Sequence, residues 1–197
     1  MNDLIWLLIS SFYVAAVLAL TFFMGKRGVD DLYVRKTVHM LVSLWILIMA
    51  WFIESPVARI TGPAIFVLIN LFFYLHFGNA GAGIVFYPLS LTVMIALMLC
   101  GVLSENAVVA GTLVMGLGDG AAAITGTLLG RKRRSPEGSA VMFIVSFNVI
   151  MAAGGSIAQA VITAAAATAA ERFTPSALDN VTVPLLTAGL MEVLCAL

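Results

Sequence analysis

Charge is what this sequence has least of. Only 10% of its 197 residues are charged, ten Lys and Arg against ten Asp and Glu, where an ordinary soluble domain carries about a quarter. With 62% apolar residues and a mean hydropathy of +1.09, this scarcity excludes a water-soluble globule. A formal net charge of zero and a sequence pI near 6.7 exclude a basic nucleic-acid binder. There are two cysteines, Cys100 and Cys195, and both sit in apolar runs, which leaves no disulfide framework and no thiolate metal cluster. Three catalytic signatures are also missing. No glycine pair leads into Gly-Lys-Ser or Gly-Lys-Thr as a phosphate loop requires, no HExxH pair offers a zinc site, and no GxSxG turn offers a nucleophile elbow.

What the chain does have is long apolar runs. A helix needs about 20 mostly apolar residues to cross a hydrocarbon core of about 30 Å, so 197 residues allow at most about eight crossings. The runs are continuous rather than alternating, which favours helices over a barrel. The expected fold is an all-α, polytopic membrane bundle of seven to eight spans, one domain over residues 1–197 with no soluble domain. Met1-Asn2-Asp3 lacks a basic leader and no small-residue cleavage pattern follows, so Leu4–Met24 reads as a retained first span. The next spans are about Thr37–Ile53, Ile60–Leu75, a fourth ending near Leu103, and a fifth from Ala107 to the basic run Arg131-Lys132-Arg133-Arg134. As one helix, Ser139–Ala170 would be about 48 Å long at 1.5 Å per residue. Gly154-Gly155 lies in its middle, so it reads as a hairpin, Ser139–Ala153 and Ser156–Ala170; one long tilted helix is the alternative. The last span is about Val183–Leu197.

In an eight-span chain, nine of the ten cations fall on one face: Lys26, Arg27, Arg35, Lys36, Arg131–Arg134 and Arg172, with only Arg59 opposite. The positive-inside bias makes that face cytoplasmic. The hairpin brings Glu171, Asp179 and Asn180 there too. Asp3, Glu54 and Glu105 read as solvated loop charges on the other side, and Glu192 has no evident role.

The stretch Gly116–Ser139 is the most informative. An acid inside an apolar span costs a few kcal/mol to insert, and Asp119 lies between Gly118 and Gly120, where the backbone can come close to a ligand. Such a carboxylate could hold Mg²⁺ against a nucleotide phosphate, with the following cations on phosphate oxygens. The bland readings are helix packing for Gly116-xxx-Gly120 and Gly126-xxx-Gly130, and a topology anchor for the basic run. Arg35-Lys36-Thr37-Val38-His39 forms a second group. Arg35 and His39 share a face if the helix begins early enough, giving a phosphate-binding cation beside a possible base; an interfacial anchor is the simpler reading. His76–Gly83 followed by Tyr87-Pro88, and Glu171 with Asp179-Asn180, complete the set.

Taken together, Arg35-Lys36-xx-His39, Gly83-Ile84-Val85-Phe86-Tyr87-Pro88, Gly118-Asp119-Gly120-Ala121-Ala122 with Gly126 and Gly130, Glu137-Gly138-Ser139, and Glu171 with Asp179-Asn180-xxx-Pro184 resemble the polyprenol kinase family. That family includes phytol kinase, dolichol kinase and CTP-dependent diacylglycerol kinase. The similarity covers nearly all of the chain after the first span. Arg134-Ser135-Pro136 departs from the expected Lys-Ser or Lys-Thr, and Arg134 takes the place of the lysine.

The resemblance implies transfer of the γ-phosphoryl group of CTP or ATP to the hydroxyl of a membrane lipid alcohol, an isoprenoid alcohol or diacylglycerol. The implied metal is Mg²⁺ on Asp119 with Glu137 or Asp179, and the implied phosphate ligands are Arg35, Lys36, Arg131, Lys132, Arg134 and the Gly118, Gly120, Glu137-Gly138-Ser139 backbone. His39 would be the base beside Asp119 and Lys36, and Asn79, Gly83, Tyr87 and Asn180 would border the substrate. Two other functions remain: a CTP-dependent cytidylyltransferase that makes a CDP-lipid, and a small transporter or channel with Asp119 as an intramembrane ion site. The pattern is compatible with an oligomer.

Overall fold

A computed structural model of the chain describes residues 2–77, 81–131, 134–175 and 177–195. Among these, every regular element is helical: α1 (Asn2–Lys26), α2 (Asp31–Ser43), α3 (Trp45–Phe52), α4 (Pro56–Phe77), α5 (Gly83–Leu99), α6 (Glu105–Leu113), a π-helical segment (Val114–Asp119), α7 (Gly120–Leu128), α8 (Pro136–Ala152), α9 (Ile157–Phe173) and α10 (Asp179–Cys195). Four stretches are long and apolar enough to cross a membrane: Asp3–Lys26, Asp31–Phe52, Pro56–His76 and Glu105–Leu128.

The last of these is the centre of the bundle. Its most apolar window is 67% buried inside the protein, against 11% for α4. Around it pack α10, α8 and α2, while α9 packs on α8 and α10, and α4 on α5. The outer faces of α1 and α4 expose Leu4, Leu8, Phe12, Phe22, Leu68, Phe72 and Leu75, as expected of helices whose surroundings are hydrocarbon rather than water.

Small residues allow the close approaches, because apolar helices in lipid associate by packing rather than by escaping water. Ala160, Ala164 and Ala167 line the fully buried stripe of α9. A Cβ on Gly111 would lie 2.6 Å from the Pro184 carbonyl oxygen of α10. On the π segment, a Cβ at Gly116 would lie 2.2 Å from the Ser43 side chain of α2.

The structure settles the Ser139–Ala170 question. α8 ends at Ala152, Gly154 takes the left-handed φ of 88°, and Ser156 caps α9 by accepting from the Gln159 backbone while Gln159 accepts from Ser156. The result is two helices packed against each other, as the hairpin reading required.

Two boundaries and the opposite pole differ from expectation. α2 begins at Asp31, six residues before Thr37, because Asp30 caps it by accepting from the Leu32 N–H at 2.8 Å. α10 begins at Asp179 rather than Val183. The acids of the opposite pole are not free loop charges. Asp3 accepts from the Glu54 and Ser55 N–H groups (2.9 and 3.2 Å), ahead of α4. Arg59 pairs with Glu105 at 2.7 Å, and Glu192 accepts from the Ser104 N–H at 2.7 Å. Glu192 thereby gains a role: it ties the end of α10 to the start of α6.

If the glycines hold the helices together, Gly116→Leu should lower thermal stability in detergent by about 1–3 kcal/mol through overpacking against Ser43. Gly25→Ala, with nothing within 4 Å of the added carbon, should be neutral or slightly stabilising. Equal behaviour of the two variants would contradict the packing assignment.

Candidate functional site

The site is built at the pole where α2, α5, α8 and α10 begin and α7 and α9 end. Its floor is Asp119, the last residue of the π segment and 6% exposed. Its depth follows from the packing of α8: a Cβ on Gly138 would lie 3.0 Å from the Ala122 carbonyl oxygen, so Asp119 sits only about one helical turn below the start of α8. The exposed last turn of α7, Thr127–Gly130, projects above it. Asp119 therefore lies near the polar end of an apolar helix rather than mid-span.

A carboxylate buried this far needs a cation. Lys36, from the second turn of α2, supplies one as an ion pair with Asp119 Oδ2. Gly120 makes room for α2 at this level, since a Cβ there would lie 2.4 Å from Met40 Cγ.

Arg134 organises the second half. Its guanidinium donates to Asp179 Oδ2 (3.3 Å) and to the Arg172 carbonyl (3.3 Å), and it faces Glu171 Oε1 at 3.8 Å. Arg172 answers by donating to the Arg134 carbonyl (3.3 Å) and to Ser139 Oγ (3.1 Å). The Arg134 backbone has φ 62°, a left-handed conformation uncommon for a residue with a Cβ, and the Arg172 contact is one restraint on it. Glu171 and Asp179, 7% and 5% exposed, thus share the one Arg134 guanidinium.

Below the charged pole lies a cavity of about 420 Å³ between α1, α2, α4 and α5. Its walls are mainly apolar, with Leu7, Val14, Leu18, Trp45, Phe66 and Leu91 among them. His39 and Tyr87 line it too. Their rings stack with centroids 5.1 Å apart, and His39 Nδ1 is buried with no hydrogen-bond partner among the described residues. His39 is one turn along α2 from Lys36, so one helix joins the carboxylate floor to the apolar cavity.

The other expected residues divide. Arg35 is exposed at the mouth, on the same face of α2 as His39 now that the helix begins early. Asn180 comes against Gly83, where a Cβ would lie 2.7 Å from Asn180 Nδ2; that amide donates to the Ala177 carbonyl and to Asp179 Oδ1, both at 3.3 Å. Asn180 Oδ1 is buried without a partner. Asn79 and Lys132 lie outside the described residues.

The remaining expected residues have these neighbours. Gly118 and Gly120 serve helix packing: a Cβ on Gly118 would lie 2.7 Å from Met142 Sδ, so both approach faces are filled by protein side chains. Gly138 likewise packs on α7, and its N–H donates to Ser135 Oγ at 3.1 Å to cap α8. Glu137 pairs with Arg131 at 2.9 Å, their side chains 35% and 58% exposed, and no contact joins Glu137 to Asp119. Glu171 is the acid that shares Arg134 with Asp179, as their grouping in the sequence suggested. Arg172, counted from sequence only as a topology charge, is a positioning residue for Arg134.

Among the described residues no group of three or more His, Cys, Asp or Glu side chains is arranged to hold a metal by itself. Mg²⁺ does not require one, since it usually takes one or two carboxylates, waters and substrate phosphates. Asp119 and Asp179, hard oxygen donors already facing cations, fit that requirement. No family model matches the chain, and no curated protein or solved structure matches it.

Proposed function

We propose that this chain is a membrane-embedded lipid kinase that transfers the γ-phosphoryl group of CTP or ATP to the hydroxyl of a lipid alcohol. The observation that carries the reading is the position of His39, between an apolar cavity of about 420 Å³ and the Lys36–Asp119 pair. A lipid tail and a triphosphate need opposite environments, and here they meet across one turn of α2. The order of motifs shared with the polyprenol kinases supports the same reaction.

Phosphoryl transfer asks a protein mainly for positioning and charge neutralisation. Arg35, Lys36 and Arg134 would hold the phosphate oxygens, with Arg172 and Ser139 fixing the Arg134 fork. Asp119, with Asp179 as second carboxylate, would hold Mg²⁺, which when bound supplies neutralisation of phosphate charge. The lipid's hydroxyl oxygen attacks the γ-phosphorus as the bond from phosphorus to the β,γ-bridging oxygen breaks. The nucleoside diphosphate leaves, and the hydroxyl proton passes to His39 Nδ1, the ring nitrogen without a partner, with the ring hydrogen on Nε2. Tyr87, stacked on the imidazole, keeps the ring plane fixed.

This reading takes the shorter helices α5, α8, α9 and α10 as crossings too, with α6, the π segment and α7 as one span. That gives eight spans, with the charged pole and nine of ten cations on the cytoplasmic side. The nucleotide would then arrive from the cytoplasm while the lipid stays in the bilayer.

The test is transfer of label from γ-labelled CTP or ATP to farnesol, geranylgeraniol, phytol, an undecaprenol-length alcohol or diacylglycerol by purified, reconstituted protein, read by thin-layer chromatography. Labelled lipid is the expected result. Asp119→Asn should reduce the rate about 100-fold or more, equivalent to about 3 kcal/mol of transition-state stabilisation. Transfer of α-label to a lipid phosphate instead would make the protein a cytidylyltransferase, and ion or solute flux without nucleotide would make it a transporter.

A further inference from the structure

We infer that the cavity beside His39 opens sideways to the bilayer between α1 and α4, and that the hydrocarbon chain of a membrane lipid occupies this opening. The inference rests on the phosphoryl-transfer reading for which lipid that is, the acceptor, and adds how its tail is held. Only the part nearest the hydroxyl lies inside the protein, and the remainder runs out into hydrocarbon.

Exposure across the cavity lining locates the opening. At the back, Trp45, Tyr87 and Leu91 are buried. The lining residues that are exposed are Ser11, Ala15 and Leu18, all on α1. Spacings of four and three residues set them in one stripe along that helix. The adjoining stripe, Ser10, Val14, Val17 and Thr21, is buried, and on its far flank Tyr13 donates to the Leu41 carbonyl of α2 at 2.5 Å. α1 is therefore docked on one flank and turns the other to the edge of the cavity. On the α4 wall, Gly62, Phe66 and Asn70 form a matching stripe, each partly exposed. α1 packs on α2 and α3, and α4 packs on α5, so the two stripes border the cavity from helices that take their packing elsewhere.

Depth identifies the occupant. α1 and α4 carry two of the membrane-length stretches. Ser11–Leu18 straddles the middle of α1 and Gly62–Asn70 the middle of α4, which puts the opening at the level of the hydrocarbon centre. Ser11 donates to the Leu7 carbonyl of its own helix at 2.8 Å, so its hydroxyl is already satisfied, and Asn70 lies at the end of its stripe toward the charged pole. An apolar cavity excludes water, and an unfilled void of about 420 Å³ forfeits dispersion contacts along its walls. A lipid chain at this depth restores them. At the opposite pole Asp3 holds α1 to the start of α4 by accepting from the Glu54 and Ser55 N–H groups, so the chain enters from the side rather than from that end.

Trp45 reports on the back of the cavity. Trp6 and Trp51, the other two tryptophans, are replaced by Phe, and the full-length protein is reconstituted in phosphatidylcholine brominated at mid-chain, a contact quencher of indole emission. Trp45 is only 7% exposed, yet its emission should be quenched, by chains that enter the cavity. Ala15→Phe, which fills the rim, should remove most of that quenching. Ala16→Phe, at an exposed position outside the lining, should leave it unchanged. A protein keeping Trp51 alone, 70% exposed, gives the signal of direct lipid contact. Unquenched Trp45 beside quenched Trp51, or equal effects of Ala15→Phe and Ala16→Phe, overturns the inference. Should the doubly substituted protein fail to insert, the difference between wild type and Trp45→Phe isolates the same signal. With γ-labelled CTP or ATP, Ala15→Phe should also lower kcat/KM for geranylgeraniol about tenfold or more, with Ala16→Phe within about twofold of wild type. Transfer that Ala15→Phe leaves untouched overturns the opening as the place of the acceptor's tail. Quenching that depends on Ala15 in a protein that phosphorylates no lipid upholds the opening and counts only against the kinase reading.

Discussion

The requirement that every buried acid meet a cation governs this molecule. Asp119, Glu171 and Asp179 are each less than 10% exposed, in a chain with few charges. Uncompensated, such groups would be expelled or neutralised. Lys36 and Arg134 prevent that from two directions. The first draws α2 onto the central π segment, and the second ties the loop before α8 to the ends of α9 and α10. The same contacts that make the acids tolerable concentrate alternating charge at one pole of an apolar body, where a polyanion and a cation could replace them.

Helix approach is the second half of that constraint. Lys36 reaches Asp119 only because Gly116 and Gly120 let α2 lie against the central helix. That placement also sets His39 one turn away, at the cavity wall. Glycines first read as surfaces for phosphate thus act indirectly: they locate the helix that carries the charged and titratable groups. Their substitution and that of Lys36 should fail for different reasons, one in stability and the other in chemistry.

The helices were legible from apolar runs and their punctuation. The hairpin at Gly154-Gly155 was legible from length together with the glycine pair, since 32 residues of helix exceed a bilayer. Start sites were less legible. Asp30 caps α2 through a local side-chain contact, and the polarity of Asp30–Lys36 resembles a loop when only hydropathy is weighed. The site was half legible. Asp119, His39, Lys36, Arg134 and Asp179 stand out as charges in a chain that has few. Glu137 was expected beside Asp119 because it precedes Gly138-Ser139, yet it faces Arg131, and sequence neighbours of a glycine motif do not reveal which way a carboxylate turns.

Composition by itself determined that the chain is helical and belongs in a membrane, because so few charges and such long apolar runs leave the backbone no other way to satisfy its hydrogen bonds in hydrocarbon. Charge order along the chain also determined that acids and cations gather at one pole. Only the tertiary structure decided which acid meets which cation, with Glu171 facing Arg134 and Glu137 facing Arg131, and that a cavity opens beside His39. Those outcomes depend on the rotation and approach of helices far apart in sequence, and small differences in side-chain volume at Gly116, Gly118 and Gly120 decide them.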